Sequence, residues 1–268
     1  MLSPWLICEG EFIVLSRFFY TSFAVVLLCL SSSPGARAAA SIDIGEMIDF
    51  LGKDKATLQK KIYNRDDDTA FVQVEVVEVF IDKGKEFEPP AGDNPELREN
   101  TLIASPARLI IPSNSFQMSR IVFSGVRDRE RYFRVRYVPV IPNEQNSFGL
   151  SPEQIKKNND DMLSAGMSVS IGYGTLVIVS PASPYYDTRI EEAGSEFRIV
   201  NNGNATATLR YTNTCVKKKD DCRGFGEGVN VFPGQTRSFE RKQERSYSFM
   251  LVEGGPAGEI TKKHIRIP

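Results

Sequence analysis

Apolar and polar positions alternate with a period of two along much of the chain after residue 41, which is the pattern of half-buried strands. Residues 71–80 show it well: Val72, Val74, Val76 and Phe80 share one face with Glu78, while Phe71, Gln73, Glu75, Val77 and Val79 line the other. Strands are predicted at 56–63, 71–80, 109–111, 119–123, 132–140 and 167–179. A second group follows at 196–200, 205–213, 230–232, 236–241, 246–252 and 263–267. One short helix is predicted over 151–161, where Ser151-Pro152-Glu153-Gln154 has the spacing of a capped start. Many short strands between turns predict β-sandwiches. Ser180-Pro181-Ala182-Ser183-Pro184 cannot continue a central strand and reads as a stiff linker, dividing the chain into domains at 41–180 and 181–268.

Residues 1–40 follow a different rule. An apolar run at 18–30, broken only by Thr21 and Ser22, is preceded by Arg17 and followed by Ser31-Ser32-Ser33-Pro34-Gly35 and the small residues Ala36 to Ala40 around Arg37. This is the layout of a secretory signal peptide, with cleavage after Ala38 or Ala40, and the run is too short for a comfortable membrane span. Glu9 and Glu11 do not suit a basic leader, which suggests a start downstream of Met1. Cleavage removes Trp5, Cys8 and Cys29, so no integral membrane segment and no Trp are expected in the mature protein. Cys215 and Cys222 remain, and two nearby cysteines in an exported chain predict one local disulfide.

Composition excludes several functions. With 33 Lys+Arg against 34 Asp+Glu and a net charge of -1, the chain is neither disordered nor a binder of polyanions. The single histidine, His264, leaves no multi-histidine metal site and no histidine-based triad. Gly172-Tyr173-Gly174 and Gly224-Phe225-Gly226-Glu227-Gly228 do not open a helix after a strand, so they read as turns or close-packing positions. Asp66-Asp67-Asp68 lacks the spaced ligands of a calcium loop. The charges of Lys217-Lys218-Lys219-Asp220-Asp221 nearly cancel, which predicts solvated surface and no nucleic-acid partner. No enzyme activity, metal or cofactor is expected.

Two stretches carry candidate chemistry. Residues 127–136 read Arg-Asp-Arg-Glu-Arg-Tyr-Phe-Arg-Val-Arg, and a strand here projects Arg134 and Arg136 from one face. Two neighbouring guanidiniums need an answering anion, and arginine is shaped to grip a carboxylate. The plainer alternative is a surface ladder answered by acids on a neighbouring strand, such as Glu75. The second stretch sets Met167, Val169, Ile171 and Tyr173 against Ser168, Ser170 and Gly172. Such a strand either packs into its own domain or, at an edge, pairs with another chain.

The order of these segments resembles periplasmic chaperones of the chaperone–usher pilus pathway. The residues that carry the likeness are Ile111-Pro112, Arg120-Ile121, Glu130-Arg131-Tyr132-Phe133-Arg134-Val135 and Gly174-Thr175-Leu176-Val177-Ile178-Val179-Ser180-Pro181. In the second domain, Val200-Asn201-Asn202-Gly203-Asn204-Ala205, Cys215, Cys222 and Val231-Phe232-Pro233-Gly234-Gln235-Thr236-Arg237-Ser238-Phe239 are similar to the alternative (alpha) branch, of common-pilus and colonisation-factor type. The resemblance covers essentially the whole mature chain. It implies an all-β protein of two immunoglobulin-like β-sandwich domains at an angle, located in the periplasm. Its implied partners are pilin subunits and an outer-membrane usher. Met167, Val169 and Ile171, extended by Tyr173, match the donor strand lent to a pilin that lacks one. An exposed donor strand also predicts self-association of the client-free protein.

The chain departs from this pattern at one point. PapD-type chaperones carry a cleft lysine where this chain has Leu176, and Lys53 and Lys55 are only loose counterparts of their basic residue on the first strand. The resemblance therefore implies Arg134 as the anchor of the pilin's terminal carboxylate, with Arg136 or Arg120 in support. The competing class is an exported structural subunit or adhesin. That class predicts one incomplete domain with an N-terminal donor extension rather than two domains and an internal donor strand.

Overall fold

The computed structural model describes residues 41–82, 84–89, 101–164, 171–216, 221–224, 228–242, 244–254 and 261–267. The segment at 1–40, expected to be a signal peptide, lies outside them. In chain order the first group of elements is β1 (Ile42–Asp43), β2 (Ile48–Leu51), β3 (Thr57–Asn64), β4 (Ala70–Asp82) and β5 (Lys85–Phe87). It continues with β6 (Thr101–Ser105), β7 (Arg108–Ile111), β8 (Phe116–Ser124), β9 (Arg131–Pro139), helix α1 (Pro152–Ser164) and β10 (Tyr173–Val179). One sheet runs β1-β3-β8-β6; the facing sheet runs β2-β10-β9-β4-β5, with β7 also on β4.

The second group is β11 (Thr188–Ala193), β12 (Glu196–Asn201), β13 (Ala207–Val216), β14 (Asp221–Gly224), β15 (Val229–Val231), β16 (Thr236–Glu240), β17 (Arg245–Glu253) and β18 (Thr261–Ile267). Its sheets are β11-β12-β16 and β14-β13-β17-β18, with β15 on β13. The protein is all-β in character, two pairs of sheets each closed on its own apolar layer, with α1 inserted before β10.

Alternation explains each layer. Ile62, Val72, Val74, Ile121, Phe133, Val135, Tyr137, Val177 and Val179 point inward between the first two sheets, and removing them from water drives the stacking. Phe197, Ile199, Leu209, Val231, Phe249 and Leu251 do the same between the second two. The expected Cys215–Cys222 disulfide ties β13 to β14. The predicted helix start is also present: the Ser151 backbone N–H donates to Gln154 Oε1 at 2.8 Å, and the Gln154 N–H donates back to Ser151 Oγ at 3.3 Å.

Two features depart from simple alternation. The first strand is split, because β1 pairs antiparallel with β3 whereas β2 pairs parallel with β10. Gly45, at φ 67°, makes the crossing between sheets in a conformation that costs glycine little. The second is β4, whose buried row changes sides. Val72 and Val74 face the first core, but further along Val79 is buried on the opposite face. There it joins Leu176 and Ile178 under Ile48, Phe50, Ile81, Tyr132 and Phe232 of the second sandwich. The Tyr132 and Phe232 rings meet edge to face, 5.4 Å between centroids. This third apolar cluster holds the two sandwiches together.

Candidate functional site

β9 turns Phe133, Val135 and Tyr137 into the first core, so Tyr132, Arg134 and Arg136 stand on its other face. Tyr132 lies under Phe232 at the junction of the sandwiches, and Arg134 and Arg136 follow it outward along the same row. The two arginines that the sequence singled out are therefore brought together at the mouth of the inter-sandwich cleft. Gly174 on the adjacent β10 makes room for them. A Cβ there would come within 2.9 Å of Arg134 Cδ, and the Gly174 carbonyl accepts from Arg134 Nη1 at 3.0 Å. Glu75 lies directly across from Arg136 in the β4–β9 register, as the ladder alternative supposed. The answering acids are others, however.

Those acids come from the β4–β5 hairpin. Arg134 Nε donates to Glu86 Oε1 at 2.9 Å, and its Nη2 donates to Glu86 Oε2, a two-pronged grip. Arg136 Nη2 pairs with Glu88 Oε1. The hairpin tip, Gly84 at φ 78°, touches the second sandwich so closely that a Cβ would fall 1.9 Å from Gln235 Nε2. Sequence reasoning missed Glu86 and Glu88. Lys85-Glu86-Phe87 is too short and too charged to display a strand period.

Beside the arginines, β10 presents an open edge. Over Leu176 to Val179 it pairs with β2, but Tyr173, Gly174 and Thr175 have β9 on one side and, among the described residues, no strand on the other. Of the donor-strand residues, Met167 and Val169 lie outside the described residues. Ile171 is 59% exposed, just before β10. Tyr173 is half-buried against the first core. Where the edge closes, the Thr175 hydroxyl donates to Asp49 Oδ2 at 2.7 Å, and buried Lys60 donates to that oxygen at 2.8 Å and to the Glu46 carbonyl at 2.6 Å. Lys60 was legible as a lone lysine on the apolar face of β3, between Leu58 and Ile62.

Other expected residues do not join the site. Arg120 is exposed on β8 in the opposite sheet, since its neighbours Ser119 and Ile121 take the two inward positions. Lys53 and Lys55 are exposed in the turn after β2, where Lys53 pairs with Asp54. Leu176, in place of the cleft lysine, is buried in the apolar cluster under Phe232 and could not project a charge.

Two charged groups near the site are sealed. Arg131 Nη1 pairs with Glu78 Oε1 at 2.6 Å, their side chains 4% and 7% exposed. Glu130 is buried against the second sandwich. It accepts from the Thr206 backbone N–H at 2.8 Å, from the Thr206 hydroxyl and from the Tyr132 hydroxyl at 2.7 Å. Burial pushes its carboxyl up to about 7, and the hydrogen bonds from Thr206 and Tyr132 only partly offset this. The Tyr132 hydroxyl is pushed up too, by burial first and then by Glu130. Among the described residues no cluster of three His, Cys, Asp or Glu could hold a metal, and no helix is long and apolar enough to cross a membrane.

No family model matches the chain. It is similar to curated proteins named "Probable fimbrial chaperone EcpB". The relative from Escherichia coli O1:K1 / APEC is 25% identical over 212 residues, which are 77% of this chain and 84% of that one. The relative from Escherichia coli O157:H7 (strain EC4115 / EHEC) is 25% identical over 222 residues, 81% of this chain and 88% of that one. Among solved structures, a chain of the Salmonella enterica SafA pilin in complex with the SafB chaperone resembles it with a TM-score of 0.51 at 16% identity. The likeness spans 87% of this chain and 99% of that one, and it is a likeness of fold.

Proposed function

We propose that this chain is a periplasmic chaperone of the chaperone–usher pathway, of the alternative branch, acting on pilin subunits without enzymatic chemistry. In this reading the domain at 41–180 holds the pilin and the domain at 181–268 forms the far wall of the cleft. Met167, Val169 and Ile171 enter the groove of a pilin that lacks a strand, extending the row that Tyr173 continues into the chaperone's own core. Backbone pairing along the open edge of β10 supplies affinity, and the alternating side chains supply fit. Arg134, supported by Arg136, holds the pilin's terminal carboxylate. The complex is then delivered to an outer-membrane usher, and client-free copies pair through the same edge.

The observation that carries this reading is the juxtaposition of a strand edge that no described strand pairs with and two arginines on the same sheet, at the cleft mouth. The similarity to fimbrial chaperones over most of the chain supports it. The test is co-expression with candidate pilins and recovery of a soluble complex. Val169→Asp with Ile171→Asp abolishes co-purification if the donor strand is assigned correctly. Undiminished recovery by that double variant would sink the reading.

A further inference from the structure

The arginine pair is already occupied, and the chain itself supplies the occupant. Glu86 meets Arg134 with both carboxylate oxygens, on Nε and Nη2, which is the planar two-point contact a peptide's terminal carboxylate would make. Glu88 repeats the pairing one alternate position along, on Arg136. We propose that Glu86 and Glu88 are an internal stand-in for the pilin carboxylate, so that a client is captured by exchange of carboxylates rather than by filling a bare site. This rests on the reading of Arg134 as the carboxylate anchor.

The arm that carries the glutamates is built for exchange. β5 is, among the described residues, an edge strand of three residues largely open to solvent, held to β4 over Phe80, Ile81 and Asp82 and by the stacked pair Phe80–Phe87. Elements with so little burial open at small cost. In its turn, Gly84 lies close against the Gln235 side chain of the second sandwich. The arm can therefore leave the arginines without detaching from the cleft. The Arg134–Glu86 pair is itself partly hydrated, the side chains 24% and 30% exposed, so breaking it exacts only a modest penalty.

Exchange has a functional consequence. With the grip already satisfied, a small free carboxylate gains little by replacing Glu86. A strand that also pairs with β10 brings its carboxylate with further contacts and wins. The arm thus selects carboxylates attached to an added strand over carboxylates in solution.

The test uses a synthetic strand-forming peptide of alternating valine and threonine with an N-terminal lysine tail. It is made with a free C-terminal carboxylate and, separately, as the C-terminal amide. Binding of both to the full mature chain is read by fluorescence anisotropy for wild type, Glu86→Gln with Glu88→Gln, and Arg134→Gln, each checked for folding by circular dichroism. Wild type prefers the acid. The double glutamine variant strengthens acid binding about fivefold and leaves amide binding unchanged, whereas Arg134→Gln binds both alike. Arg134→Lys, which keeps the charge but loses the fork, replaces Arg134→Gln if that variant fails to fold. A purely structural role for the arm would not separate acid from amide. Unchanged or weaker acid binding by the double variant, with the preference still lost at Arg134, overturns the stand-in and leaves the anchor standing. The absence of an acid preference in all three proteins overturns both.

Discussion

Arg131 and Arg134 stand close together on β9 and each pairs with a glutamate, yet on opposite faces of the sheet. Arg131–Glu78 lies inside, its side chains 4% and 7% exposed; Arg134–Glu86 lies at the cleft, at 24% and 30%. The chemistry is the same and the surroundings differ. With both side chains almost wholly removed from water, solvent cannot take the place of either partner, so the pair is a fixed part of the core. At the cleft, water or another carboxylate can replace Glu86 at little cost, so the pair can be traded. A strand that alternates its faces builds a clasp and a grip within a single turn of its pattern.

Substitutions can break this contrast, and the largest effect belongs to the inner pair. Arg131→Ala removes one member of a buried ion pair and costs about 3–5 kcal/mol in urea unfolding; a loss under about 1 kcal/mol would erase the distinction. Next comes Glu130, a buried carboxylate whose direct partners are hydroxyls and a backbone N–H rather than an arginine. Its folded-state carboxyl, raised from 4.5 to about 7, holds its proton longer than the unfolded chain does. Its contribution to stability is therefore full below about pH 4.5 and is lost, by about 3 kcal/mol, as pH rises to about 7. Tyr132, Tyr186 and Glu253 share these surroundings. Glu130→Gln should flatten that slope in unfolding measured at successive pH values, and an unchanged slope would mean the proton sits elsewhere. The smallest effect is at the cleft: Arg134→Gln alters unfolding by less than about 1 kcal/mol, and added salt narrows even that.

Much of this architecture could be read from the sequence. Alternation located β3, β4, β8, β9, β10 and most strands of the second sandwich, and the Ser151–Gln154 spacing located the start of α1. The pairing of Arg134 with Arg136 was legible because a period of two is a local property of the chain. What escaped depends on distant partners. In β4 alternation gives both faces without a switch of burial, but the far end is buried on the side opposite Val72 and Val74, where Phe232 of the second sandwich packs. Glu130 carried no signal of burial within its arginine-rich run, because the residue that closes over it, Thr206, lies far along the chain. Arg120 was expected as a support for Arg134, but alternation says which side of a strand a residue takes, not which sheet the strand joins.

The split first strand sets a measure on the site. β2 runs beside β10 only from Leu176 onward, with Ile48 opposite Leu176 and the Met47 carbonyl accepting from the Leu176 N–H at 2.9 Å. A strand added along β10 from the open side runs out of backbone partners at that point and ends there. Leu176 is also the residue directly opposite Arg134 in the β9–β10 register. The crossing at Gly45 thus works as a ruler. On the proposed reading it sets where an incoming strand would stop, and with that the phase of every side chain along it, because a slip of one residue would turn all of them to the wrong face.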